Sequence, residues 1–238
     1  AVLFMERARA VRPDVPDDPR PVGEIARRLD GLPLAIELAA ARVVTLSPAD
    51  IAARLDDRFR ILAGGRRARQ PRHRTLRAMV DWSHELLDQT DRVVFRRLGA
   101  FKGGFTLDAA LAVCACGPAG SVTNAEVLTA LGRLVDKSLV VVDEHEGEAR
   151  YRLLETIRQY ALDRLDAAEE RDAARDRHLD FFLALGEATE PELEGPDQDA
   201  SLDQVEAEHD NFRAALDWGL ALDDPERGRR LAACLVWL

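Results

Sequence analysis

Lysine is nearly missing from this chain: in 238 residues it stands only at Lys102 and Lys137. Neither closes a glycine-rich run ending in Gly-Lys-Ser or Gly-Lys-Thr. Lys102 precedes Gly103-Gly104, the reverse of the order in which a loop cradles phosphates. No apolar strand ending in paired aspartates is present to hold magnesium. The chain therefore lacks the parts that bind and hydrolyse a nucleoside triphosphate unaided. There is no G-x-S-x-G elbow and no H-E-x-x-H pair. The acid pairs Asp56-Asp57 and Glu169-Glu170 lie in polar surroundings with nothing to tune them. No catalytic residue and no enzymatic activity are expected of this chain. Cysteine is scarce and odd in number, at 114, 116 and 234. That excludes a disulfide scaffold and fits a reducing cytoplasm. Cys114-x-Cys116 is a single pair where a structural zinc site takes four ligands, so no metal site is expected. No uninterrupted apolar run of about 18 residues occurs, so no membrane span is expected. The start lacks a basic-then-apolar signal pattern. Cytoplasmic location is the expectation.

What is present suits a folded, mostly helical protein. Apolar residues make up 47% of the chain and the formal net charge is −10, an ordinary core allowance with an acidic surface. The charge is uneven. Between Arg54 and Arg77 nine arginines face only Asp56 and Asp57, and GGRRARQPRHR within that stretch has no apolar period. It reads as an exposed basic linker, a solvated hinge in preference to a nucleic-acid patch. Ala1 in place of Met, and an ending inside the apolar run LAACLVWL, lead to the expectation of an internal piece of a longer chain.

Three parts follow from periodicity. Residues 1–68 read as a helical subdomain. Leu3–Val11 ends one helix, Pro13, Pro16, Pro19 and Pro21 break it, and Val22–Leu29 restarts. Ser47-Pro48 opens another helix with Ile51, Leu55 and Phe59 on one stripe. Residues 69–170 read as a winged helix. Leu76, Met79, Val80, Ser83, Leu86 and Leu87 mark one helix; Val94, Leu98 and Phe101 mark a second; Thr106 caps Leu107–Cys116. A fourth carries Val127, Leu128, Leu131, Leu134 and Val135. Leu139–Val142 and Arg150–Leu153 then pair as a small β-hairpin around DEHEGE. A closing helix aligns Leu154, Ile157, Ala161 and Leu165. Residues 171–238 read as the start of a TPR-like helical array. Leu202, Val205, His209, Phe212, Leu216 and Gly219 form a helix stripe on which His209 reads as a structural histidine. The fold class expected is mainly α.

The stretch GLPLAIELAAARV, from Gly31 to Val43, is the most distinctive in the chain. Pro33 sits at a helix start, where its missing N–H costs nothing. Its flat ring can lie under a purine, and free N–H groups of the helix end face an anion. A buried helix with an N-terminal proline is the plainer reading. The stretch resembles the GLPLA motif of the NB-ARC class of STAND signalling ATPases. Further blocks are similar, in order, to the actinobacterial branch of large transcriptional regulators in that class: LSPADIAARLDDRFRIL, RHRTLRAMVDWSHELL, FRRLGAFKGGFTLDAA, LVDKSLVVVDE, YRLLETIRQYALDRL and EAEHDNFRAALDW.

The resemblance implies that Pro33, with Gly31 and Leu32, contacts ADP or ATP. The nucleotide and its Mg would be held by an N-terminal nucleotide-binding domain of the same parent chain. It also implies an inducer or protein bound through the helical array, possible self-oligomerisation, and a slow switch ATPase as the intact parent. Many members place Met-His-Asp at the closing helix, with the His on the ADP phosphates. Here Leu153, Leu154 and Glu155 stand there, and Leu154 cannot donate to a phosphate. That contact is then absent or supplied by another residue, for which Arg152 and Arg158 are the candidates.

A winged helix also suggests DNA. The helix before the wing would be the reader. Its outward residues are expected to be Glu126, Thr129, Ala130, Arg133, Asp136 and Lys137, a balanced set beside an acidic wing tip. Direct DNA binding by this segment is therefore not expected. The expected function is a nucleotide-sensing and conformational-switch segment of a transcription regulator. A DNA-binding winged-helix factor and a protein-interaction module without nucleotide contact stay open as alternatives.

Overall fold

Helix starts are set within the first turn by local chemistry, and the computed structural model shows this at four places. It describes residues 1–16, 18–29, 31–63, 71–115, 122–145, 148–191 and 198–236. Asp18 caps α2 (Pro19–Arg28) by accepting from the Arg20 N–H at 3.0 Å. Pro19 and Pro21, expected to break helix, instead lie in its first turn, where the N–H they lack has no intrahelical partner. Pro33 is the first residue of α3 (Pro33–Ala40). Ser47 and Asp50 cap α4 (Pro48–Ala63) reciprocally: the Asp50 N–H donates to Ser47 Oγ at 3.1 Å and the Ser47 N–H donates to Asp50 Oδ2 at 3.3 Å. Thr106 caps α7 (Leu107–Cys114), accepting from the Ala109 N–H at 3.2 Å.

The chain divides into two compact units: residues 1–88 with 133–139, and residues 89–132 with 140–238. In the first, α1 (Val2–Val11) packs on α3, α2 on α4, and α3 on α5 (Pro71–Glu85). A 3-10 turn, Ala41–Val44, follows α3. Phe4, Ile25, Leu29, Leu38, Ile51 and Leu55 form the core with Ala35, Ala39 and Ala40, whose small side chains let neighbouring helices approach. Arg42 is buried with its guanidinium 5.8 Å from the Trp82 ring centroid. The Phe59 side chain and residues 64–70 of the expected basic linker lie outside the described residues; its last four residues, 71–74, are not linker but open α5.

In the second unit α6 (Gln89–Leu98) packs on α7 and on α9 (Glu155–Ala167). The sheet is antiparallel with strand order β1-β3-β2: β1 (Gly104–Phe105), β2 (Val141–His145) and β3 (Glu148–Arg152). The hairpin was expected; β1 was not, because a two-residue strand carries no alternation. α10 (Arg171–Thr189) packs on α7, and α11 (Gln198–Ala221) and α12 (Glu226–Cys234) pack on α10 and on each other. Where α11 and α12 cross, a Cβ on Gly228 would lie 2.6 Å from the Gly219 carbonyl carbon. Only paired glycines permit that approach.

The division falls within α8 (Asn124–Asp136), whose residues 124–132 belong to the second unit and 133–136 to the first. The helix ends in a Schellman turn, with Ser138 at φ 56°, Ser138 N–H to the Val135 carbonyl at 2.8 Å and Leu139 N–H to the Leu134 carbonyl at 2.9 Å. No described helix is long and apolar enough to cross a membrane.

Candidate functional site

The Gly31–Leu32–Pro33 corner is built by backbone geometry. Gly31 adopts φ +66°, its N–H closes α2 on the Ala26 carbonyl at 3.0 Å, and the Leu32 N–H reaches the Leu29 carbonyl at 2.9 Å. Leu32 is then the extended N-cap of α3 and has no side-chain cap. The corner faces outward: Gly31 and Pro33 are exposed, while Ala35, Ile36, Leu38, Ala39 and Ala40 behind them are buried. The helix is a core helix along its length, with the Pro33 ring exposed at its start.

Arg152 and Arg158 belong to the other compact unit, and each is already engaged. Arg152 Nε donates to Asp143 Oδ2 across the hairpin at 2.6 Å. Arg158 donates twice to Glu155, 2.8 Å to each carboxylate oxygen, and those bonds hold the Glu155 carboxyl below its usual range. Leu154 is the half-buried N-cap of α9. An arginine here would have to leave a carboxylate to meet a phosphate.

α8 occupies the position of a reading helix, but its faces differ from those expected. Ala130, expected outward, is fully buried; Leu128, expected in the core, is 53% exposed. The helix is rotated so that Val127, Ala130, Leu131 and Leu134 form its buried face. Glu126 is not a free outward group: it accepts the Thr123 N–H and hydroxyl, each at 2.8 Å, in a capping box. The Thr-x-x-Glu spacing carried that signal. Arg133 pairs with Asp88 at 3.1 Å. Cys114 is buried; Cys116 lies outside the described residues.

A buried polar cluster on α11 was not anticipated. Asn211 on α11 donates from Nδ2 to the Gly104 carbonyl and to Glu208 Oε2, each at 2.7 Å, and its Oδ1 accepts the Lys102 N–H at 2.8 Å. Glu208 Oε1 accepts from Arg150 Nη1 at 2.6 Å, and Arg150 Nη2 donates to the Ala207 carbonyl at 3.1 Å. Glu208 and Asn211 are buried, as is His178, whose Nε2 lies 3.4 Å from Asn211 Oδ1. Burial drives the His178 pKa down to about 4, with the Asn211 contact opposing and the Arg175 charge adding to the shift. His209, expected on the buried stripe, is instead 69% exposed. Glu208 and Asn211 take the inner face, and His178 is the structural histidine. A second buried group joins α6 to the α9–α10 corner. Arg97 donates to the Cys114 carbonyl at 2.8 Å and to Glu170 at 3.1 Å, and Arg96 donates to Glu170 at 2.7 Å.

Residues 87–166, from α6 through the wing to α9, form a winged helix-turn-helix domain, and they match the family described by that name. The chain is 48% identical over 240 residues to a Mycobacterium tuberculosis protein named "Putative HTH-type transcriptional regulator". The Mycobacterium bovis protein of the same description is equally similar; each alignment covers 99% of this chain and 27% of the relative. A further Mycobacterium tuberculosis protein, named only as uncharacterized, is 50% identical over 182 residues, 74% of this chain and 45% of its own length. The chain thus spans about a quarter of the length of the regulators that it matches.

Proposed function

We propose that this chain is the switch segment of a longer transcription regulator. In that reading its first helical unit senses ADP or ATP held by a preceding nucleotide-binding domain of the same chain, and its winged helix serves as a lever. The regulators' names, at 48% identity over almost the whole chain, support the role in transcription; a cytoplasmic location is part of the same proposal. The observation that carries the lever reading is the exposed face of α8. It holds Ala125, Leu128, Thr129 and Gly132 beside Glu126 and Asp136, and the one cation of the helix, Arg133, is 38% exposed and paired with Asp88. Between 87 and 166 acidic side chains outnumber basic ones. A helix lying between two phosphate backbones needs the opposite balance. Small and apolar groups suit packing against protein.

The nucleotide part is tested in the intact parent by Pro33→Asp. A carboxylate in place of the exposed ring repels phosphates, so affinity for ADP falls by about tenfold, the equivalent of about 1.4 kcal/mol. Unchanged retention refutes the sensing role. An inducer or partner protein on the helical array, and self-oligomerisation on release, belong to the same proposal.

A second reading is favoured by the domain match and by the relatives' names: α8 reads DNA directly. Mobility shift of the chain with random duplex DNA at low and high salt separates the two. Tight, strongly salt-dependent binding establishes the second reading; weak binding at both salts leaves the lever.

A further inference from the structure

We propose that Glu208 and Asn211 are a latch by which α11 holds the wing, so that the helical segment and the sheet move together. Arg150 lies on β3, the middle strand, and Gly104 on β1, its edge partner. One helix therefore grips two strands of the three-stranded sheet, through Arg150 and through the Gly104 carbonyl. Within the sheet β2 pairs with β3.

The latch is saturated. Both amide hydrogens of Asn211 and its oxygen are bonded, and both Glu208 oxygens are taken, one by Arg150 and one by Asn211. Glu208 is 3% exposed and Asn211 is 1% exposed. A shift of α11 along the sheet by one residue would strand a buried carboxylate and a buried amide with no replacement partners, which is costly. Intermediate positions are therefore excluded, and the joint is either docked or open. Apolar residues of similar volume would hold α11 at least as firmly but would tolerate sliding. The buried polar pair adds a single register and an all-or-none release.

The arrangement makes the Lys102 amide a reporter. It lies between α6 and β1, outside any helix or strand, in an exposed residue, yet it donates to a buried side chain. Amide hydrogen exchange on the full 238-residue chain tests the latch. In the unmodified chain the Lys102 amide exchanges as slowly as the amides of β3. In Asn211→Ala it exchanges at least about tenfold faster, and β2 and β3 exchange faster than α9, the wing opening while the rest stays closed. Arg150→Met accelerates the same wing amides by removing the other grip. If either variant does not fold, Glu208→Gln, which keeps one bond to Asn211 and loses the ion pair, is read the same way. Unchanged exchange at Lys102 and the wing overturns the latch. So does acceleration spread evenly over α6, α7, α9 and α10, since that is plain loss of stability. The latch rests on the lever reading above, but its test uses neither nucleotide nor DNA, so the two fail separately.

Discussion

His178 supplies the sharpest test of the second unit's core. Its ring is 3% exposed and lies between Phe101 and Phe182, with centroids at 5.3 and 4.6 Å. Burial holds its pKa near 4 against an ordinary 6.5. The folded state thus refuses a proton that the unfolded chain accepts. Above pH 6.5 both states are neutral and stability is full. Between pH 6.5 and about 4 the unfolded state binds the proton and stability falls as pH falls; below that the loss is complete. At 1.36 kcal/mol per unit, the total is on the order of 3 kcal/mol. His178→Phe places a ring of similar size among phenylalanines and removes the titration. Its cost is the weak contact to Asn211, about 1 kcal/mol at neutral pH. The assay is urea unfolding of both proteins at closely spaced pH values, followed by tryptophan fluorescence. The expected result is a gap between the two curves that swings in favour of the variant as pH drops through this window. Curves that stay parallel from neutral pH down to about 4 refute the buried neutral imidazole.

Two predictions concern the α9–α10 corner. Glu170→Ala leaves Arg97, whose side chain is 4% exposed, without its carboxylate, and costs about 3 kcal/mol in urea unfolding; a loss below about 1 kcal/mol contradicts the buried pairing. Burial raises the Glu170 pKa, but the bonds from Arg96 and Arg97 outweigh it and hold the carboxyl below its usual 4.5, so this stabilisation is present above pH 4.5 and is lost as pH falls through the lowered value. Glu169 sits in the left-handed region at φ 56°, closing α9 in a Schellman turn with the Glu170 N–H on the Leu165 carbonyl at 3.2 Å. Glu169→Gly relieves that conformation and raises stability by about 1 kcal/mol by thermal unfolding; a decrease contradicts the strained turn.

Much of this protein was determined by chemistry within four residues. The caps at Ser47 and Thr106, the helix start at Pro33, the hairpin and the helix after it are all local, because a helix's first turn and a tight turn are satisfied by their own neighbours. The missing phosphate loop is equally plain in the sequence. Tertiary structure alone decided how each helix is turned about its axis. On α11 the apolar spacing pointed to His209, yet Glu208 and Asn211 face inward, because β1 and β3 present a carbonyl, an amide and a guanidinium there that only polar groups can satisfy. On α8, Ala130 and Leu128 exchanged the places expected of them. β1 exists only because β3 offers it an edge. Periodicity counts apolar residues; it does not reveal what the partner surface will offer.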